Sequence, residues 1–155
     1  MTFVHDHPDI CLISLPSRAH STRPPLGLMT ICSYLEKKGI SVELIDLKVK
    51  DLKILELDSP RAKELEDHII SILKQLNPPL VGMGTYTHEV DYTLSFAKRI
   101  KSEITTKIIV GGQHSSLAPD DFIFENSPID YAVIGEGEET FRELTRSLLD
   151  KEPRE

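Results

Sequence analysis

The chain has 155 residues, the size of one globular domain with a sizeable core. Hydrophobic residues make up 39% and charged residues 28%, a balance typical of soluble proteins. The formal net charge of −7 argues against a nucleic-acid partner, which would require a clustered basic face. The N-terminus lacks a secretory signal and no apolar run is long enough to span a membrane, so we expect a cytoplasmic protein without a membrane span.

Apolar, β-branched runs alternate with helical patterns along the chain. The runs predict strands over residues 9–15, 41–47, 80–84, 107–111 and 129–134. The first predicted helix carries Leu28, Ile31, Cys32 and Leu35 and stops at Gly39. Further helices are predicted from residue 60 to 76, over 90–104, as a short segment over 119–126, and over 138–149. Residues 48–60 are weakly patterned and are interpreted as an extended connection, with or without a short turn of helix.

Two of these helices have a specific predicted core face. In the third helix, the apolar spacing favours burial of Val90, Leu94, Ala97, Ile100 or Lys101, and Ile104. In the last helix, the same spacing favours burial of Phe141, Leu144 and Leu148. Because Cys11 and Cys32 have apolar neighbours and no metal-motif spacing, we expect two buried thiols and no nucleophile among them.

The alternation of strands and helices predicts an α/β domain with a doubly wound, flavodoxin-like or Rossmann-like sheet. Five mostly parallel strands in the order 2-1-3-4-5, with helices on both faces, satisfy the right-handed crossover rule. The predicted domain covers residues 1–150. The charged tail at 151–155 is interpreted as the start of a linker to a missing C-terminal domain.

Three of the predicted strands end in polar loops that contain glycines. The three stretches are Val81 to Thr87, Lys107 to Ser115 and Tyr131 to Glu138, and they hold Gly82, Gly84, Gly111, Gly112, Gly135 and Gly137. A fourth loop, over 16–25, is longer than most strand-to-helix connections and is a candidate wall of a site. Ligands of open α/β sheets bind at the carboxyl ends of the strands, so the loops predict a binding site at that edge.

Several familiar chemistries lack their residue patterns. A phosphoacceptor domain would need acids after strand one and at the end of strand three, where the chain has Pro16 and Thr85. There is no Gly-x-Ser-x-Gly elbow of a serine hydrolase. The pair Gly135 and Gly137 lacks the third glycine of a dinucleotide fingerprint, since Thr140 stands there. The loop over 17–22 is only a distorted version of a flavin phosphate loop.

The polar residues near the predicted site leave alternatives open. His88, Glu89 and Asp91 lack the spacing for a third metal ligand, which favours a polar helix start. His114 follows the glycine pair, and either its own backbone or a ligand would satisfy it. Glu136 and Glu138 either complement a helix dipole or bind ligand hydroxyls.

Four motifs in order resemble those of the cobalamin-binding N-terminal domain of cobalamin-dependent radical SAM proteins. They are Pro24-Pro25-Leu26-Gly27-Leu28, Val81 to Thr87, Val110 to Ser116, and Ile134 to Thr140. The resemblance covers nearly the whole chain. It implies that the loops after strands one, three, four and five hold the corrin and its nucleotide tail, with Gly111 and Gly112 letting the tail pass. The implied cofactor-binding residues are Leu15, Pro16, Pro25, Leu26, Gly27, Gly84, Thr85, Tyr86, Thr87, Gly111, Gly112, Gln113, His114, Gly135, Glu136 and Gly137.

Two departures from related patterns refine what the resemblance implies. The Asp-x-His-x-x-Gly motif whose histidine ligates cobalt is absent after strand one, although His20 lies in that loop. The resemblance to the radical SAM relatives implies base-off cobalamin without a histidine ligand from the protein. The Cys-x-x-x-Cys-x-x-Cys triad of radical SAM domains is also absent. S-adenosylmethionine and the iron–sulfur cluster would belong to a downstream domain in cis.

These observations together predict a cobalamin-binding module that is catalytically inert alone. The full-length protein would be a radical SAM enzyme that performs methyl transfer or ring-forming chemistry. The alternative is a docking module of the same fold that has lost its cofactor, and a further alternative is a flavin-binding electron carrier. No catalytic or metal-ligating residue is assigned within the chain.

Overall fold

The computed structural model describes residues 4–15, 24–46 and 60–149. Five parallel strands form one sheet in the order β2-β1-β3-β4-β5. Their bounds are β1 Ile10–Ser14, β2 Val42–Asp46, β3 Leu80–Gly84, β4 Lys107–Gly111 and β5 Tyr131–Ala132. The predicted fold class and strand order are confirmed. The loop over 16–23 with Pro16 and His20, most of the connection over 48–60, and the tail at 151–155 lie outside the described residues.

Five α-helices connect and cover the strands. They are α1 Leu26–Lys37, α2 Pro60–Leu76, α3 Val90–Glu103, α4 Gln113–Leu117 and α5 Gly137–Leu149. The helices α2 and α3 contact each other over one face of the sheet, and α1 and α5 contact each other over the opposite face. Each face therefore has its own apolar core, as expected where crossover helices alternate between the two sides. None of the helices in the described ranges is long and apolar enough to cross a membrane.

The strand β5 is shorter than the predicted run over 129–134. It pairs with β4 only at Tyr131 and Ala132. Just before it, the Asp130 carboxylate accepts a hydrogen bond of 2.7 Å from the backbone N–H of Ile108. The Asp130 side chain thus takes up the N–H of Ile108 just before β5, so the strand begins at Tyr131, later than predicted.

The buried face of α3 agrees with the predicted face at Ala97 and Ile100 and differs from it elsewhere. The helix buries Tyr92, Thr93, Phe96, Ala97 and Ile100. Val90, Leu94 and Ile104 are only partly buried, at the margin of the same core. The rings of Tyr92 and Phe96 stack with their centroids 6.0 Å apart, and two large aromatic side chains bury more apolar area than the aliphatic stripe beside them. The helix therefore turns its aromatic side toward the sheet.

Two short elements after β4 were also predicted differently. The loop predicted after the glycine pair contains α4, and the helix predicted over 119–126 is a single 3₁₀ turn, Pro119–Asp121. The sequence of α4 has no apolar periodicity, so only tertiary contacts reveal it. The thiol of Cys11 is buried as predicted, whereas Cys32 is only partly buried.

Candidate functional site

A cleft of about 670 Å³ opens at the carboxyl edge of the sheet, between α1 and α5. Its walls come from the start of α1 and from the loops after β3, β4 and β5. It continues beneath the edge, between the sheet and the two helices, where apolar side chains line it. These deeper residues are Leu12, Ile31, Gly82, Val133 and Phe141. The site predicted at this edge therefore has space for a large ligand with an extension that enters the domain.

The floor of the cleft is nearly bare backbone, which we call the glycine shelf: Ser14, Gly84 and Gly111. These three residues are neighbours in register on β1, β3 and β4. They lie two residues beyond Leu12, Gly82 and Ile109, so strand alternation turns them to the same face. A β-carbon on Gly111 would meet only Val133 at 3.9 Å, and one on Gly84 would touch Leu28 at 3.6 Å. The shelf thus leaves open space that most side chains would fill.

Gly82 has a different purpose at the deep end of the cleft. A β-carbon there would lie 2.7 Å from Leu12 Cδ2 and 2.9 Å from Phe141 Cζ. At such short distances the neighbouring side chains would have to move. Because Gly82 has no side chain, the ring of Phe141 packs directly on its backbone. The Phe141 ring consequently closes the deep end of the cleft against β3.

Gly112 is required by the backbone of the protein itself. Its φ is +106°, and a β-carbon would lie 2.8 Å from the carbonyl oxygen of Thr85. The expectation that Gly112 only leaves room for a ligand tail is therefore incomplete, because any side chain would first strike the loop after β3. The backbone N–H of Thr85 also donates to the carbonyl of Gly111 at 2.9 Å, which joins the two loops.

Two serines of α4 tie the loop after β4 to the loop after β5. The Ser115 hydroxyl donates to the carbonyls of Val133 at 2.9 Å and Gly112 at 3.1 Å. The Ser116 hydroxyl donates to the carbonyl of Gly112 at 2.9 Å and accepts from the N–H of Gly135 at 3.0 Å. These contacts hold the glycine-bearing loops together as one wall of the cleft.

His114 is turned away from the cleft into a small polar cluster. Its Nδ1 lies 3.2 Å from the Thr87 hydroxyl, and its Nε2 lies 2.8 Å from the Asp121 carboxylate. The ring meets Phe122 edge-on and is only 7% exposed. Neither His114 nor Thr87 lines the cleft. Of the two interpretations of His114, the structure favours the one in which the protein itself supplies the partners of the imidazole ring. These partners are side chains and not backbone groups.

The polar lining of the cleft comes mainly from the loop after β3. His88 and Glu89 both line it, and the Glu89 carboxylate accepts a hydrogen bond of 3.0 Å from the N–H of Tyr86. His88 Nε2 lies 3.7 Å from the other carboxylate oxygen of Glu89, and its ring stacks on Tyr86. In the parts of the chain that the structure describes, no group of three or more possible ligands could hold a metal ion.

The two helices that wall the cleft are fixed to each other by polar contacts. The Tyr34 hydroxyl of α1 donates to the carboxylate of Glu139 on α5, which also accepts from Arg142. Hydrogen bonds from Arg142 and then Tyr34 hold the pKa of Glu139 at about 2.

On the sheet itself, burial raises the pKa of the Cys11 thiol to about 12, and the nearby Glu43 charge adds to this. Cys11 is therefore not a nucleophile at neutral pH.

Most of the predicted site residues line this one cleft. They are Leu15, Pro25, Leu26, Gly27, Gly84, Thr85, Tyr86, Gly111, Gly112, Gln113, Gly135, Glu136 and Gly137. Pro16 lies outside the described residues, and contact of any of these residues with a cofactor stays a prediction. Sequence reasoning did not assign Ser14, Leu28, Ile31, His88 or Phe141 to the site. Ile31 and Phe141 carry only an apolar helical signal, which does not distinguish a core residue from one that lines a cleft.

The comparisons with known proteins agree with this architecture. An uncharacterized methyltransferase of Pyrococcus horikoshii is 31% identical over 131 residues, which cover 83% of this chain and 25% of the relative. Among solved structures, the radical S-adenosylmethionine methyltransferase TsrM from Kitasatospora setae, with cobalamin and a 4Fe–4S cluster bound, matches with a TM-score of 0.68 at 20% identity. The apo form of the cobalamin-dependent S-adenosylmethionine radical enzyme OxsB matches with a TM-score of 0.63 at 20% identity.

These matches cover most of this chain but a small part of each relative. The structural matches span 92% and 95% of the chain, and only 27% of TsrM and 19% of OxsB. The chain therefore has about a quarter of the length of such proteins. A family model described as the B12 binding domain matches residues 17–145. The resemblance stated from the sequence motifs is confirmed: the chain belongs to the B12-binding domain family.

Proposed function

We propose that the chain is the cobalamin-binding module of a larger radical SAM enzyme, with residues 1–150 as the module and 151–155 as the start of a linker. The downstream domain in cis would hold S-adenosylmethionine and the iron–sulfur cluster, and would perform methyl transfer or ring-forming chemistry. The proposal includes a cytoplasmic location. The similarity to proteins about four times as long supports a cis domain.

The glycine shelf is the observation that carries the proposal. A large planar ring can approach the carboxyl edge of the sheet closely only where side chains are absent, as at Gly84 and Gly111. The surrounding lining is mostly apolar, with few polar groups, which is typical of cofactor sites. The deep extension toward Leu12 and Phe141 offers the tail of the cofactor an apolar path.

We propose further that the cofactor binds base-off and without a histidine ligand from this chain. His114 is held by Thr87 and Asp121 and does not line the cleft. In the described part of the chain, the histidine that lines the cleft is His88, beside Glu89. Insertion of the tail into the deep extension would separate its base from cobalt, which is what base-off binding means.

Binding is tested by titrating the purified chain with hydroxocobalamin, following the visible spectrum and co-elution in gel filtration. We expect a stoichiometric complex with the wild type. Gly111→Leu should abolish binding while the chain stays folded, because its side chain would occupy the open space above the shelf. Gly111→Ala is the matched control, since a single β-carbon meets only Val133 at 3.9 Å and should weaken binding much less.

A cofactor-free docking module is the second candidate. Leu26 lines the cleft with 70% of its surface exposed, Ile134 in the loop after β5 is 58% exposed, and exposed apolar groups mark interaction sites. Absence of any cobalamin complex at high micromolar concentration, with a folded chain, would favour this candidate over the first.

A further inference from the structure

Thr145 on α5 has the one buried side-chain oxygen or nitrogen without a hydrogen-bond partner among the residues that the structure describes. The residue is completely buried. Two other helical threonines behave differently: the hydroxyls of Thr30 and Thr93 donate to the carbonyls four residues earlier, at 2.9 and 2.8 Å. Native proteins leave few buried polar groups unpaired, because burial removes their hydrogen bonds to water and no other hydrogen bond replaces them. The Thr145 hydroxyl therefore requires an explanation.

The position of Thr145 in the fold suggests one. Phe141 lies one turn earlier on the same face of α5, and it lines the deep end of the cleft. The tip of its ring fills the gap that Gly82 leaves, 2.9 Å from where a β-carbon would be. Four residues advance a helix by about 6 Å, so Thr145 lies just beyond the ring that closes the cleft.

We propose that Thr145 is the innermost hydrogen-bond partner of the ligand that occupies the cleft. When the ring of Phe141 turns aside, the hydroxyl meets a polar atom of the planar nitrogen heterocycle at the end of the cofactor tail. This inference rests on the proposed function. It makes Phe141 the movable closure of the deep end and Thr145 the group that distinguishes a tailed ligand from one without a tail.

The choice of threonine supports a binding role. Valine has nearly the same shape and would fill the site without burying an unpaired hydroxyl. The hydroxyl therefore adds no stability to the ligand-free chain. A hydrogen bond made only in the complex would explain why a polar atom is kept inside an apolar core. Its helix neighbours Phe141, Leu144 and Leu148 belong to the apolar core on this face of the sheet and carry no polar side-chain atom.

The test compares the affinities of two corrinoids for wild type, Thr145→Val and Thr145→Ser. The corrinoids are hydroxocobalamin and cobinamide, which lacks the nucleotide tail. We expect Thr145→Val to weaken cobalamin binding about threefold to tenfold, the value of one hydrogen bond, and to leave cobinamide binding unchanged. Thr145→Ser should keep most of the affinity for cobalamin. The melting temperature of ligand-free Thr145→Val should equal or exceed that of the wild type.

Thr93→Val is the matched control, because Thr93 is equally buried but its hydroxyl is satisfied within α3 on the other face of the sheet. That variant should lose stability and keep both affinities. The inference is overturned if Thr145→Val leaves the ratio of the two affinities unchanged, or if the wild type binds cobinamide as tightly as cobalamin. Failure of the wild type to bind either corrinoid would instead remove the proposed function itself.

Discussion

The carbonyl oxygen of Thr85 lies 2.8 Å from the position that a β-carbon on Gly112 would occupy. The loops after β3 and β4 thus meet backbone to backbone, and the hydrogen bond from the N–H of Thr85 to the carbonyl of Gly111 reinforces the contact. Two adjacent glycines consequently have different purposes. Gly112 closes a main-chain contact, whereas Gly111 leaves the shelf open.

Gly112→Ala should therefore destabilise the fold more than it weakens binding per folded molecule. The positive φ of +106° and the contact with Thr85 both oppose a β-carbon. Strained backbone of this kind costs about 1–3 kcal/mol of unfolding free energy, and the steric clash adds to it. Urea unfolding monitored by circular dichroism measures the loss. A variant with wild-type stability but no cobalamin binding would show that Gly112 serves the ligand alone.

Asp130→Asn should lower stability by about 1.5–3 kcal/mol at neutral pH, the range for hydrogen bonds to a charged group. The carboxylate accepts from Lys101, from Lys107 and from the N–H of Ile108, just before β5 begins. The amide keeps one acceptor for Ile108 but loses the charge that both lysines face. Urea unfolding at pH 7 against the wild type gives the difference.

The Asp130 carboxylate also makes the stability of the fold depend on pH in the acidic range. Burial raises the pKa of Asp130, but the hydrogen bonds from Lys101, Ile108 and Lys107 outweigh burial and hold the pKa below its ordinary value of 3.8. A carboxyl whose pKa is lower in the folded chain than in the unfolded chain contributes its full stabilisation at pH values above its unfolded-state pKa. This contribution disappears as the pH falls through its folded-state pKa. The stability difference between wild type and Asp130→Asn should shrink below about pH 4. A constant difference down to pH 2 would contradict the assignment.

The sequence predicted the strands and the edge that carries the site, because both follow from local signals, whereas the strand order followed from the fold class. Continuous apolar runs such as Ile10–Ser14 are diagnostic of strands buried on both faces, and glycines after such runs mark the carboxyl edge. The face of α3 was predicted only in part, because two apolar stripes overlap in one helix: Ala97 and Ile100 are buried as predicted, but Leu94 is only partly buried. Only packing against the sheet decides between Leu94 and Phe96, and spacing alone does not contain that information.

The missed features of the site have a similar cause. The helix α4 is held by hydrogen bonds of Ser115 and Ser116 to residues far along the chain, which no local pattern records. His114 stands beside a glycine pair and was therefore a candidate, yet Asp121 and Phe122 draw it away from the cleft. The cleft lining by Phe141 depends on Gly82, a residue 59 positions earlier on another element.

Glu136→Gln should change cobalamin affinity less than threefold. Glu136 is exposed at the mouth of the cleft, and glutamine keeps its shape and one acceptor oxygen. Exposed charges are screened by water and salt, so the lost charge contributes little. Equilibrium titration at 0.15 M salt, beside Gly111→Leu as a variant that blocks the shelf, gives the comparison. A loss of tenfold or more would mean that the carboxylate itself binds a donor of the ligand.

Cobalt bound to this chain should lack an imidazole ligand from the protein. The Asp-x-His-x-x-Gly spacing is absent after β1, and His114 is held by Thr87 and Asp121. The electron paramagnetic resonance spectrum of the reduced Co(II) form reports the ligand, because a coordinated nitrogen splits the cobalt lines. We expect no nitrogen splitting. Splitting that disappears in His88→Ala or His20→Ala would identify a histidine ligand and reject the assignment, with His114→Ala as the control that should leave the spectrum unchanged. Splitting that survives all three variants would show that the base of the cofactor itself remains on cobalt, so that its tail does not enter the cleft beside Phe141.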